Sequence, residues 1–186
     1  MPEAKTAEKP KTRRPRRTKR KIVEDHARSY FDAVAKRDPE AMSTHWADDI
    51  VEEIPGVGVL RGPGEVKSYF QDLFAAVPDA EMTVQRVVAD DTRAVVEWRL
   101  RGTFSGAPYV GIEPTGRHLE LRGADVLEIE SQKIKSNTVY FDTTEFARQI
   151  GMMPPQDSGA ERAMVGAFNA VTKVRRAVND RVAARR

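Results

Sequence analysis

Residues 117–142 read RHLELRGADVLEIESQKIKSNTVYFD, and they predict a pair of strands around which the rest of the chain is organised. Its apolar side chains recur at every second position and would line one face of a strand: Leu119, Leu121, Leu127 and Ile129. Ser131-Gln132 predicts a hairpin turn into a last strand over residues 133–141. Asp125 falls on the apolar face, where a carboxylate is costly unless it has a partner or a function.

The chain that precedes this strand pair predicts helices first and further strands afterwards. The segment 93–104 alternates Val96, Trp98 and Leu100 with Glu97, Arg99 and Arg101, as expected of a strand with one buried face. Other predicted elements are helices at 23–37, from Pro39 to about 46, 63–77 and 144–150, and strands at 49–54 and 82–89. Helices packed on a curved antiparallel sheet define an α+β domain, with a cavity for a small ligand at one end.

The composition suits one globular domain with extra segments. The chain has 186 residues, of which 40% are hydrophobic, and no apolar run approaches the roughly 20 residues of a membrane span. The absence of cysteine excludes disulfides and thiolate chemistry. The basic N-terminus is not followed by an apolar signal region, so we expect a cytoplasmic protein.

Charge divides the chain into three parts. The net charge is +8 over residues 1–21, −10 over residues 22–159 and +5 over residues 160–186. We therefore expect a disordered basic arm at 1–21, a folded domain at 22–154 and a basic amphipathic helix within 155–186. The arm is either a solvated tail that docks on its own acidic body, or a contact for nucleic acid or an anionic membrane.

The C-terminal segment predicts a helix that begins after a capping box, Ser158 with Glu161. One side of it is apolar and comprises Met164, Phe168, Val171, Val178 and Val182. This side would pack on the body or on a second subunit, lie on a membrane surface, or bind another partner.

Four stretches resemble the SnoaL-like polyketide cyclases and the ketosteroid isomerases, which share the nuclear-transport-factor-2-like (NTF2-like) fold. They are YFDAVAKRDPEAMSTHWADD (30–49), EIPGVGVLRG (53–62), PTGRHLELRGADVLEIE (114–130) and YFDTTEFARQIGMMP (140–154). The resemblance covers about residues 22–154. It implies a conical α+β domain and cofactor-independent isomerase or cyclase chemistry on a small hydrophobic carbonyl compound, steroid-like or polyketide-like.

The ketosteroid isomerase resemblance implies three catalytic residues. Tyr30, eight residues before Asp38, would donate a hydrogen bond, and Glu53, shortly before a Pro-Gly turn, would be the base. Asp125 would be a neutral carboxylic acid that donates a second hydrogen bond to the developing enolate. Trp98, Asn137 and Phe141 would form walls of the substrate pocket.

This chain also departs from the related families. The predicted base is Glu rather than Asp, and Val139 occupies the position where the cyclases are expected to carry an acid. Each candidate has a structural alternative as well: Tyr30 as a core aromatic, Glu53 as a solvated carboxylate, and Asp125 as a structural acceptor.

Two classes of function therefore remain open. One is the isomerase or cyclase; the other is a non-catalytic ligand-binding or dimerisation module that the basic arms tether to an anionic partner. We expect no metal, since the three histidines, which include His45 and His118, lack ligand spacing, and no cofactor. The exposed face with Glu97, Arg99 and Arg101 would suit a homodimer.

Overall fold

The computed structural model describes residues 18–183 and shows an α+β fold. Its helices are α1 (Lys19–Ala35), α2 (Pro39–Ser43), α3 (Gly62–Ala76), α4 (Thr143–Gln149) and α5 (Gly159–Ala183). Its strands are β1 (Trp46–Ile54), β2 (Gly58–Arg61), β3 (Glu81–Ala89), β4 (Arg93–Phe104), β5 (Arg117–Glu130) and β6 (Lys133–Phe141). Most of the predicted basic arm, residues 1–17, lies outside the described residues, and α1 begins directly after Thr18, which caps it.

The six strands form one sheet in the order β2-β1-β6-β5-β4-β3. All neighbours are antiparallel except β1 and β6, which run parallel and join the first strand to the last. Helices α1 and α3 pack on one face of the curved sheet, and their apolar residues complete a single core. This confirms the predicted NTF2-like architecture.

The main local difference from the predicted elements lies between α2 and β2. Helix α2 ends at Ser43, and Trp46 opens β1 rather than closing the helix. A register irregularity between Trp46 and Val51 in the pairing with β6 hides the alternation that would have marked the start of the strand. Strand β2 was not predicted, because it has only four residues, begins at Gly58 and contains only two apolar side chains.

Helix α5 keeps several of its apolar side chains exposed. Phe168 is 69% exposed, and Met164, Val165, Val171 and Val174 are exposed as well. The first turn is attached to the body by an ion pair between Glu161 and Arg148 at 2.8 Å. The structure describes the side chains of α5 over residues 159–177. Over that range the apolar side of the helix does not pack on the body of the same chain.

Within residues 18–183, no helix combines the length and the hydrophobicity needed to cross a bilayer.

Candidate functional site

A cavity of about 290 Å³ lies between the sheet and helices α1 and α3. This volume is at the small end of the range for ligand sites, roughly 300–1,000 Å³. Most of its wall is apolar, and the polar side chains that reach it include Tyr30, Glu52 and Asp125. The cavity is therefore suited to a small hydrophobic ligand that meets a few polar groups.

Four adjacent strands each place one polar side chain in a row beneath this cavity. Glu52 lies on β1, Asn137 on β6, Asp125 on β5 and Trp98 on β4. The strand register explains the alignment, because Glu52 is paired with Asn137, and Asp125 lies two residues along β5 from Leu127, the residue opposite Asn137. The row is thus a product of sheet geometry rather than of proximity in the sequence.

Both oxygens of the Asp125 carboxyl accept hydrogen bonds from this row. Trp98 Nε1 donates to Oδ1 at 2.7 Å, and Asn137 Nδ2 donates to Oδ2 at 2.8 Å. Asp125 is 6% exposed. Because both partners are donors, they favour the ionised carboxylate over the neutral acid.

Asn137 connects the two carboxyls. Its Nδ2 also donates to Glu52 Oε1 at 3.1 Å, so one amide group serves both acids. The other oxygen of Glu52, Oε2, is buried and has no hydrogen-bond partner among the described residues. Glu52 is only 1% exposed, and an unpartnered oxygen at that depth favours the protonated carboxyl.

Burial raises the pKa of both acids. Desolvation, followed by the charge of Asp125, raises the pKa of Glu52 to about 8, although the bond from Asn137 opposes this. Desolvation also raises the pKa of Asp125 to about 6, against the lowering effect of the bonds from Trp98 and Asn137. Near neutral pH the pair therefore holds one proton, which the geometry places on Glu52.

Tyr30 contributes a neutral hydroxyl to the same cavity. It is buried on α1, and desolvation, together with the charges of Glu52 and Asp125, keeps its pKa well above the ordinary value. Tyr30 therefore stays protonated and able to donate a hydrogen bond.

The predicted base, Glu53, does not face the cavity. Its side chain is exposed, whereas those of Ile50, Glu52 and Ile54 are buried. Successive side chains of a strand point to opposite faces, so a shift of one residue exchanges the inner carboxylate for the outer one. Glu52, rather than Glu53, is therefore the glutamate of β1 on the inner face of the sheet. The alternation of Ile50, Glu52 and Ile54 is the sequence pattern that could have indicated this.

The other predicted site residues divide into two groups. Tyr30, Trp98, Asp125 and Phe141 line the cavity, as expected for residues that contact a ligand. Asn137 is 1% exposed and is not part of the cavity wall; it orients the carboxyls instead. Two further cavity residues, Tyr69 on α3 and Tyr109 before β5, were missed because nothing in their local sequence distinguishes them from core aromatics.

The histidines lie apart from this cavity. The rings of His26 and His45 are 4.8 Å apart, and neither residue contributes to the cavity wall. Among residues 18–183, no group of three or more His, Asp or Glu side chains could hold a metal ion.

Solved structures with the same fold come from several bacteria. AclR, a proposed hydroxylase from Streptomyces galilaeus, is 17% identical with a TM-score of 0.64, over 82% of this chain and 96% of that one. A proposed SnoaL-like polyketide cyclase from Jannaschia sp. CCS1 is 15% identical with a TM-score of 0.67, over 76% and 99%. A proposed ketosteroid isomerase from Kribbella flavida is 22% identical with a TM-score of 0.53, over 67% and 81%.

Among curated proteins, no significant match to this chain is found. The family model of the SnoaL-like domain matches residues 27–137, which is more than half of the chain and includes Tyr30, Glu52, Trp98, Asp125 and Asn137. The chain therefore belongs to the SnoaL-like domain family.

Proposed function

We propose that this protein catalyses proton transfer at a carbon next to a carbonyl group, as an isomerase or cyclase of a small hydrophobic ketone or ester. The observation that carries the proposal is the buried carboxyl pair, Glu52 and Asp125, joined by one amide group in an apolar cavity. Membership of the SnoaL-like family supports it, as does the likeness in fold to a proposed cyclase and a proposed ketosteroid isomerase.

Asp125 is the proposed base. Its pKa of about 6 leaves it ionised at neutral pH, and each of its oxygens keeps a lone pair beyond the one that accepts from Trp98 or Asn137. A carboxylate that is desolvated yet held in place by two donors is a stronger base than one in water. This role differs from the neutral donor that the family resemblance implied.

Glu52 and Tyr30 are the proposed donors to the developing enolate. With a pKa of about 8, Glu52 is protonated at neutral pH, and its unpartnered Oε2 can carry that proton. The Tyr30 hydroxyl adds a second neutral donor in the same cavity. Such preorganised donors in a dry site stabilise charge that forms on a carbonyl oxygen.

The reaction needs only these groups. Asp125 removes a proton from the carbon next to the carbonyl, and the electron pair of the broken C–H bond moves onto the carbonyl oxygen. Glu52 and Tyr30 donate hydrogen bonds to that oxygen. In an isomerisation Asp125 returns the proton to a different carbon of the conjugated system; in a cyclisation the enolate carbon attacks a second carbonyl of the same molecule.

Turnover of two β,γ-unsaturated ketones, 3-cyclohexen-1-one and 5-androstene-3,17-dione, tests the proposal by the absorbance of the conjugated product. Asp125→Asn is expected to reduce kcat by about 100-fold to 10,000-fold, since it removes the base. Glu52→Gln is expected to reduce kcat by less than about 100-fold, which is the typical effect of losing a donor, because the amide of the new Gln side chain still donates a hydrogen bond. The rate should be highest near pH 7, between the pKa values of about 6 and about 8.

Glu53→Gln is the matched control, because it makes the same chemical change one residue away on the exposed face. It is expected to leave turnover unchanged. Absence of turnover by the intact protein with both ketones, or equal rates in all three variants, would contradict the proposed chemistry.

A second candidate is a ligand-binding module without catalysis that its basic ends hold on an anionic surface. The exposed apolar side of α5 favours it, because the same helix carries Arg162, Lys173, Arg175 and Arg176. In that case the cavity would bind its ligand and the carboxyl pair would only recognise it.

A further inference from the structure

The cavity contains a second polar group that the proposed proton transfer does not use. Tyr69 of α3 and Tyr109 of the segment between β4 and β5 both reach the cavity. The Tyr109 hydroxyl donates to the Tyr69 hydroxyl at 2.9 Å. These two side chains do not belong to the sheet, whereas Glu52 and Asp125 do.

One hydroxyl hydrogen of this pair remains available. Two tyrosines have two hydroxyl hydrogens, and their mutual bond uses one of them, whichever residue donates. The remaining hydrogen finds no acceptor among the described residues. Both tyrosines are partly buried and line the cavity, so a ligand that fills the cavity removes solvent from this hydrogen and has to supply an acceptor in its place.

The pair is not needed to hold its segment in place. Gly106 N and Ala107 N donate to the carbonyl oxygens of Ala76 and Ala75 at 3.0 and 2.9 Å, and these bonds fix the segment to the end of α3. A short bridge between Tyr109 and Ile112 shapes the turn through backbone groups alone. Phenylalanine at both positions would fill the same space, so the hydroxyls are not explained by packing.

The chemistry of the wall limits the group that can bind there. Among the described residues that line the cavity there is no Lys or Arg to balance an anionic ligand, and two acids are already present. Desolvation raises the pKa of Tyr69 and that of Tyr109, so both hydroxyls stay neutral. A neutral oxygen, as in a ketone, an alcohol or a phenol, is the acceptor that fits.

We infer that Tyr69 and Tyr109 form a second recognition site for the ligand, which is a neutral hydrophobic molecule with two oxygen functions. One oxygen meets Glu52 and Tyr30, and the other accepts from the tyrosine pair. The two sites are near enough that the charges of Glu52 and Asp125 contribute to the raised pKa of Tyr69. The inference rests on the proposed function only in placing the first oxygen at the carboxyl pair.

Calorimetric binding of matched ketones to the full-length protein tests this inference without turnover. The one-oxygen probes are 1-tetralone and 4-androsten-3-one. Their two-oxygen partners are the 5-, 6- and 7-hydroxy-1-tetralones, which sample different oxygen separations, and 4-androstene-3,17-dione. We expect at least one two-oxygen probe to bind about fivefold to tenfold more tightly than its one-oxygen partner, the worth of one hydrogen bond.

The double variant Tyr69→Phe/Tyr109→Phe, which removes both hydroxyls, is expected to abolish this preference, with less than about a twofold change for the one-oxygen probe, because only the second contact is lost. Tyr140→Phe is the matched control, since Tyr140 is 58% exposed, outside the cavity, and should leave the preference intact. An equal loss of affinity for both kinds of probe would assign the pair a structural role and overturn the inference.

A wild-type protein without the preference, or without binding of any probe, would overturn it too. Failure of the proposed chemistry alone can be distinguished from failure of this inference. In that case Asp125→Asn and Glu52→Gln would leave turnover unaffected, while the protein would still bind the two-oxygen probe more tightly.

Discussion

A carboxyl group on the inner face of a sheet acquires its properties from side chains on the adjacent strands, which are distant in the sequence. Glu52 and Asn137 are 85 residues apart in sequence and meet only through the pairing of β1 with β6. The amide of Asn137 lowers the pKa of both acids, against the desolvation that raises it. The balance leaves one proton on the pair at neutral pH, which a solvated pair of carboxylates would not retain.

This balance predicts a pH dependence of stability. The pKa of Glu52 rises from 4.5 to about 8 on folding, so the folded state favours the protonated carboxyl. The resulting stabilisation is complete below pH 4.5 and is lost as the pH rises through about 8. In the Glu52→Gln variant the free energy of unfolding should therefore decrease less steeply with pH over this range. The slope should differ from that of the wild type by up to about 1.4 kcal/mol per pH unit.

Urea denaturation at a series of pH values measures this effect. Glu53→Gln, with its exposed side chain, should keep the wild-type slope. A slope in Glu52→Gln equal to that of the wild type would show that Glu52 does not retain its proton in the folded state.

At the level of the strand, the position of Trp98 depends on a glycine directly opposite. Trp98 on β4 pairs with Gly123 on β5, and a Cβ at residue 123 would lie 2.2 Å from the indole Cζ2 and 2.6 Å from the Tyr140 carbonyl oxygen. The indole therefore lies over the glycine, where its Nε1 reaches Asp125. The absence of a side chain at Gly123 thus allows Trp98 to form the hydrogen bond that orients the proposed base, Asp125.

Gly123→Ala should displace the indole and lower the free energy of unfolding by about 1–3 kcal/mol, as overpacking does. It should also raise the pKa of Asp125, since that carboxylate loses a hydrogen-bond donor. The acidic limb of the pH–rate profile should therefore move to higher pH. Guanidinium denaturation and the pH–rate profile measure the two effects.

Gly64→Ala is the control for this change. A Cβ at residue 64 meets nothing within 4 Å, and the residue lies in helix α3, so alanine should be neutral or stabilising. Equal destabilisation by both substitutions would show that the contact with Trp98 is not the cause.

The same elements show how far sequence patterns predict structure here. Strands β4 and β6 agree with the predicted bounds, because alternation and turn residues mark both ends. The inner carboxylate of β1 was misassigned to Glu53, since two adjacent glutamates carry the same chemistry and only the strand face separates them. The Tyr69–Tyr109 pair was beyond prediction, because it forms between a helix and a loop that no local periodicity connects.

At the scale of the whole molecule, helix α5 presents apolar side chains that the described residues leave exposed. Its exposed apolar side and its basic residues together favour an anionic lipid surface, and the +8 charge of residues 1–21 adds to that attraction. Homodimerisation through the outer face of the sheet, where Tyr140 and the charged residues of β4 lie, stays a prediction.

Co-sedimentation with vesicles tests the lipid surface. The protein should bind vesicles that contain phosphatidylserine, bind phosphatidylcholine vesicles less, and dissociate in high salt. Phe168→Glu should weaken binding strongly because it removes the most exposed apolar side chain, while Asn169→Glu adds the same charge to the next position and should weaken it less. Equal loss in both variants, or binding to DNA instead of vesicles, would contradict a lipid surface as the occupant.

The parallel pairing of β1 with β6 also determines when the site can exist during synthesis. Strand β1 is complete at Ile54, yet its neighbour begins only at Lys133, so β1 must wait for almost the whole domain to be made. The entropic cost of closing this loop has to be met before the contact stabilises the fold, and such non-local pairings slow folding. A nascent chain should therefore have no carboxyl pair, and therefore no proposed active site, until β6 has left the ribosome.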